Sequence, residues 1–251
     1  MCVDSILTEY TFLQILSLLS VDSIVVSITG FHPVDPGSTP GPRIILKSKM
    51  AEIKVLIEGI HKFVSDTKMN IGCTTTLIKG DKNIIVDPGA FSNRRKLLES
   101  LKEENLDPED IDAVILIHLH LDHIVNVSLF SKSKIFLRFR GDSKYPGMVQ
   151  KIDEGFLERF DILNDSIDKD IKIIETLGHA IDGISVVVDT PEGKVVIAGD
   201  AIASEDWANL EKEPEKMFIY DLEKYKESRK KILEIADYII PGHGKMFKIE
   251  K

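Results

Sequence analysis

Between residues 118 and 123 the chain reads His-Leu-His-Leu-Asp-His, which brings His118, His120, Asp122 and His123 together within six residues. Imidazole nitrogens and a carboxylate are the donors that hold a borderline divalent cation. Three more such groups stand beside glycines later in the chain. They are His179 in Leu177-Gly178-His179-Ala180, Asp200 in Ala198-Gly199-Asp200 and His243 in Pro241-Gly242-His243-Gly244. Five of the seven histidines fall in these runs, so His32 and His61, which sit in no motif, read as surface residues. Burying so many imidazoles and carboxylates without partners would be costly, and a cation removes that cost.

The first run follows residues 113–117, Ala-Val-Ile-Leu-Ile, an apolar stretch with the length of a buried parallel strand. The chemistry therefore begins where a core strand stops. Residues 73–79 and 83–86 read as a hairpin turning at Gly80-Asp81 and ending in Asp87-Pro88-Gly89. A helix follows, with Asn93 as N-cap, Leu97, Leu98 and Leu101 as its apolar stripe, and Asn105 and Pro108 as its stop. The second half repeats this order. Residues 184–189 and 194–198 form a hairpin around Pro191-Glu192-Gly193, Asp200 follows, a helix spans 222–235, and strand 237–240 leads into His243. Such duplication predicts an α/β fold: two mixed β-sheets face to face with helices on the outer faces, an αββα sandwich whose strand-end loops meet at one edge.

The His-x-His-x-Asp-His run, with the three later Gly-His, Gly-Asp and Gly-His-Gly turns, resembles the signature of the metallo-β-lactamase superfamily over about four-fifths of the chain. The resemblance implies the αββα fold. It also implies that His118, His120 and His179 hold one metal, that Asp122, His123 and His243 hold a second, and that Asp200 bridges the two. The implied cofactor is a pair of divalent ions, zinc in the first place with iron or manganese as alternatives, about 3.5–4 Å apart. The implied reaction is attack by hydroxide bound to this dinuclear site on an ester, thioester, lactone or phosphodiester-type substrate, as in the small single-domain hydrolases of the superfamily. Asp122 is the side chain given a catalytic role, orienting the water or passing a proton to the leaving group. Asp87 is expected to orient the His loop from behind.

This chain departs from the pattern in places. Where many relatives continue the third-His turn with Thr-Pro-Gly, it has Ala180-Ile181-Asp182, and no cysteine stands at a ligand position, unlike several zinc β-lactamases. His120 also separates it from the flavin-linked di-iron oxidases, which carry Glu there. The rival function that the resemblance leaves open is a mononuclear iron dioxygenase of the persulfide dioxygenase type, with iron on His118, His179 and Asp200.

A formal net charge of -9 argues against general attraction to nucleic acid or anionic membrane, so a small molecule is the expected partner and nucleic acid is not favoured. Two cysteines make no disulfide framework, which points to the cytoplasm, and Cys73 reads as a small core residue. Residues 1–50 differ from the remainder: no Lys or Arg precedes Arg43, and a Pro/Gly-rich run follows His32. The apolar residues 6–19 lack a basic flank and are interrupted by Glu9, which fits neither a signal peptide nor a membrane span. The expected division is an extension over 1–50 and the metal-binding domain over 51–251.

Residues 132–140 alternate. Ile135, Leu137 and Phe139 take one face, and Lys132, Lys134, Arg138 and Arg140 share the other with Phe136. That pattern fits an edge strand guarded by its charges, or an electropositive lip for an anionic substrate. The loop 141–147, with Tyr145 and Pro146, and residues 203–210, with Trp207, are candidates for the pocket wall, and Trp207 reads equally as a cover on the core.

Overall fold

The computed structural model describes residues 50–250 apart from 66–67, 139–143, 146–147, 150–159, 163–165 and 215–217. The expected extension over 1–50, His32 and most of the loop 141–147 lie outside the described residues.

In chain order, β1 (Glu52–Ile57) is followed by the exposed hairpin β2 (Ile60–Ser65) and β3 (Lys68–Gly72), then by β4 (Thr75–Lys79) and β5 (Asn83–Val86). Helix α1 (Arg94–Glu103) leads to β6 (Ala113–Leu116), the single turn α2 (Leu121–Ile124) and β7 (Lys134–Leu137). The short strands β8 (Lys144–Tyr145), β9 (Met148–Val149), β10 (Phe160–Ile162) and β11 (Ser166–Asp168) precede β12 (Ile171–Glu175), β13 (Ile184–Thr190) and β14 (Gly193–Gly199). Helix α3 (Leu222–Ile235), β15 (Tyr238–Pro241) and β16 (Phe247–Lys248) complete the chain.

Two six-stranded sheets result, ordered β1-β4-β5-β6-β7-β10 and β11-β12-β13-β14-β15-β16. Both are mixed, and they match in plan. In each half an antiparallel hairpin, β4/β5 or β13/β14, is joined through a helix to a strand parallel to its second arm, β6 or β15. The continuous apolar strands of the sequence make three layers of core. Ile78, Val86, Ile115 and Ile117 of the first sheet meet Ile173, Val186, Val188 and Ile197 of the second between the sheets. Leu97 and Leu101 of α1 pack on the far face of the first sheet, and Ile232 of α3 on the far face of the second. The architecture is the expected αββα sandwich.

Local signals behave as their chemistry requires, with two exceptions. Asn93 takes the N-cap position of α1 without a side-chain cap bond, whereas Asp221 caps α3 by accepting from Lys224 N at 3.1 Å. The basic strand is not an edge. β7 lies between β6 and β10, Phe136 packs toward the core between the sheets, Lys132 is paired with Glu109, and Arg138 is paired with Glu175.

Residues 1–50 share neither the composition nor the repeated plan of the remainder. A chain beginning at Met50 is therefore expected to give a cooperative melt and the circular dichroism of the full chain. Insoluble or unfolded protein on that truncation would make the first fifty residues part of the domain.

Candidate metal centre

Every residue of the expected ligand set lies where a strand gives way to a loop. His118 follows β6, His120 is the N-cap of the single turn α2, and Asp122 and His123 are within that turn. His179 is in the loop after β12, Asp200 opens a 3-10 turn after β14, and His243 follows β15. Backbone bonds between the two sheets draw these ends to one edge: Ile184 N donates to Ile117 O at 3.1 Å, and Thr74 N to Gly242 O at 2.6 Å. Gly242 has to lack a side chain, because a Cβ there would collide with Asp200 Oδ1.

The structure brings all seven side chains together, in two groups. His118, His120, His179 and Asp200 form one, and Asp122, His123 and His243 form the other, each with its donor atoms within 4.8 Å of one another. Asp200 stands between them. Its Oδ2 is 3.3 Å from His179 Nε2 and 3.9 Å from His118 Nε2, and its Oδ1 is 3.5 Å from His123 Nε2 and 3.2 Å from His243 Nε2. Asp122 Oδ2 lies 3.6 Å from His123 Nε2 and 3.8 Å from His243 Nε2.

Donors bound at about 2.0–2.1 Å to a tetrahedral ion are themselves about 3.3–3.4 Å apart, which is the scale of these separations. Four of the atoms, His118 Nε2, Asp122 Oδ2, His123 Nε2 and Asp200 Oδ1, are buried and make no hydrogen bond. Buried polar atoms are normally satisfied, so a cluster of orphans facing one another fits a cation.

The electrostatics agree. Burial pushes His118 well down, His120 to about 4 and His179 down, which keeps these imidazoles in the neutral form that ligates. Burial would raise Asp200, but His243, His123 and His179 hold its carboxyl well below the usual range. Burial works downward on His243 too, yet Asp200 prevails and raises it.

The outer contacts fix the ring orientations. Asp87, at φ 50°, accepts from Ile117 N at 2.8 Å through Oδ1 and from His123 Nδ1 at 2.7 Å through Oδ2. Both its oxygens are engaged, so it aims His123 Nε2 at the site. His243 Nδ1 donates to Gly72 O at 3.0 Å, which leaves Nε2 facing Asp200. Buried Asn126, which carried no sequence signal, donates to Pro88 O at 3.1 Å and to Ala90 O at 2.6 Å and so ties α2 to the Asp87 turn.

A cavity of about 360 Å³ opens over the site, with His120, Asp122, His179, Asp200 and His243 on one side and Trp207, Phe218 and Tyr220 among its walls. Trp207 takes both places open to it, lining the cavity and packing on the core of the second sheet. Arg229 holds that wall: it is fully buried and donates to Trp207 O at 2.9 Å, to Lys212 O at 3.1 Å and to Asn209 O. His61 is exposed, as expected, but it also lines the cavity, with its ring 5.4 Å from that of His243 and 5.6 Å from that of Phe218. Only the pairing of β2 with β3 brings it there, because Gly72 at the end of β3 touches His243.

Asp182 also lines the cavity. It is 6% exposed, and burial pushes its carboxyl up to about 6. An acid raised from 3.8 when folded contributes stability that is fully present below about pH 3.8 and is lost as pH rises through about 6. Asp182→Asn is therefore expected to gain on the order of 2 kcal/mol over wild type at pH 8 relative to pH 4. Denaturant melts of both proteins across that range check this, and a constant difference would contradict the burial cost.

Comparison with known proteins agrees with this geometry. The family model described as the metallo-beta-lactamase superfamily matches residues 70–243. The chain is 32% identical over 204 residues to metallo-beta-lactamase domain-containing protein 1 of Xenopus laevis, covering 79% of this chain and 82% of that one. It is 33% identical over 168 residues to the probable metallo-hydrolase MJ0296 of Methanocaldococcus jannaschii, covering 67% and 74%. Among solved structures, one from Thermotoga maritima of the metallo-beta-lactamase type superposes with a TM-score of 0.63 at 25% identity, over 79% of this chain and 99% of that one. Fold, site and sequence agree that this chain belongs to the metallo-β-lactamase superfamily.

Proposed function

We propose that the chain is a hydrolase working through two divalent ions, zinc by preference, on an ester, thioester, lactone or phosphodiester-type bond of a small molecule. The observation that supports this reading is the sharing of Asp200 between two complete donor groups. His118, His120 and His179 would hold one ion, Asp122, His123 and His243 the other, and Asp200 both. Such ions, when bound, polarise the oxygen under attack and bring the ionisation of water toward neutrality. Asp122, whose Oδ2 makes no hydrogen bond, would accept the proton of the attacking water and return it to the leaving group. Asp87 keeps His123 in the tautomer with Nε2 free, and Trp207 and Phe218 help shield the reaction from bulk water.

A small-molecule substrate is supported by the cavity volume of about 360 Å³, and the net charge of -9 disfavours nucleic acid. Among the described residues no helix is long and apolar enough to cross a membrane. The buried free thiol of Cys73 supports a reducing compartment such as the cytoplasm.

A mononuclear iron dioxygenase would hold its ion on His118, His179 and Asp200 and leave the second group unoccupied, so the donor set is compatible with both readings and the metal content separates them. Metal analysis of protein purified without added metal tests the choice. Two zinc ions per chain, with hydrolysis of a chromogenic ester, are expected. One iron with oxygen consumption would replace the hydrolase by the oxygenase, and metal-free, inactive protein would leave a binding module.

A further inference from the structure

The cavity is also lined by a carboxyl with no task in the proposed reaction. Asp182 lies in the loop between β12 and β13 and belongs to neither donor group. Its carboxyl accepts from its own backbone amide, and among the described residues no ion pair or other side chain reaches it. A buried carboxyl normally has a partner, and one left open on a ligand cavity is completed by the ligand. The remaining wall chemistry narrows the ligand. Among the described residues that line the cavity there is no Lys or Arg, while Ile71, Ile181, Phe218 and Ile219 make its surface apolar. The basic strand that suggested an anionic substrate does not help, because Lys132 and Arg138 are paired with Glu109 and Glu175 and neither lines the cavity.

We propose that Asp182 is a substrate-binding residue that accepts the protonated amine of the substrate, so the bond to be hydrolysed belongs to an amine-bearing molecule with an apolar spacer. This rests on the hydrolase reading for the reaction, but not for the binding. An ammonium group supplies the missing partner of the carboxylate through charge-assisted hydrogen bonds, and the apolar wall takes up the spacer. A matched neutral or anionic molecule would leave the carboxylate buried and unpaired, or set it against a like charge.

The test separates binding from turnover. Calorimetry on the metal-loaded protein at pH 7.5 would compare alkylammonium ions of three to eight carbons with the alcohols of equal length. At the best-fitting length the ammonium ion is expected to bind about tenfold or more tightly than the alcohol, and Asp182→Asn and Asp182→Leu are expected to bring that ratio close to one. Equal binding of ammonium ion and alcohol by the wild type at every length would overturn the proposal without recourse to a variant. So would a preference that survives in both variants. 4-Nitrophenyl esters of ω-amino, ω-hydroxy and unsubstituted acids of six to eight carbons add the kinetic arm. A kcat/KM ranking with the amino ester first by about tenfold supports the proposal, and a hydroxy ester used as well as the amino ester overturns the assignment to an amine. If none of the esters is cleaved while the ammonium preference in binding is found and is lost in the variants, the hydrolase reading fails and the Asp182 site stands.

Discussion

Replacing Asp200 with alanine is expected to lower hydrolytic turnover by about 10²- to 10³-fold or more and to cut the metal content, with the fold retained at 25 °C. The size of the effect follows from position. Both oxygens of Asp200 face ring nitrogens, Oδ2 those of His118 and His179 and Oδ1 those of His123 and His243, so one substitution removes a donor from each group. It also removes the negative charge that offsets the like charge of neighbouring imidazoles and cations. His243→Ala should behave differently, because His243 belongs to the second group alone, and the ion on His118, His120 and His179 should persist. The core between the sheets is built from Ile115, Val186, Ile197 and their neighbours, and neither substitution reaches it. Elemental analysis, ester kinetics and circular dichroism on both variants decide the matter. Two ions per chain and near-normal turnover in both would mean that this constellation is not the active site.

Arg229→Met is expected to lower stability by about 2–4 kcal/mol, which in a domain of this size is a fall in Tm of roughly 5–15 °C. Arg229 is fully buried on α3, and its guanidinium serves the carbonyls of Trp207, Asn209 and Lys212 in place of a carboxylate partner. A methionine fills much of the volume and satisfies none of the three. Lysine would keep the charge, but its single ammonium cannot span three carbonyls set by a planar fork, so Arg229→Lys should recover only part of the loss. Because Trp207 is the only tryptophan, its emission reports directly on this wall and should shift to the red, with KM rising as the cavity loosens. A Tm within about 2 °C of wild type together with unchanged emission would show that the loop holds itself.

Much of this molecule could be read along the chain. The apolar run before His118 is β6, the 222–235 stripe is α3, and the repeated order of hairpin, acid, helix, strand and histidine became the two matching sheets. The two clusters of candidate donors were legible because they are tied to local signals: strand ends followed by Gly-His or Gly-Asp, whose residue types packing alone does not demand. Arg229 was not legible, since a charged residue in an amphipathic helix reads as surface unless the carbonyls it meets are known, and those belong to a loop 17 to 22 residues earlier. His61 and Asp182 gave no motif at all, and their place on the cavity comes from the β2/β3 hairpin and the turn after His179.

The clearest division between the two levels is β7. Its alternating charges had suggested an edge, but alternation reports only which faces a strand presents, not which neighbours it has. β10, which covers its open side, enters from further along the chain, and Arg138 finds its counter-charge on Glu175 of the other sheet. Local side-chain periodicity determined what each segment could become and which residues could ligate. Strand neighbours, buried hydrogen-bond partners and the walls of the cavity were decided only by folding, because they are contacts between groups remote in sequence, and nothing in the local pattern encodes the partner.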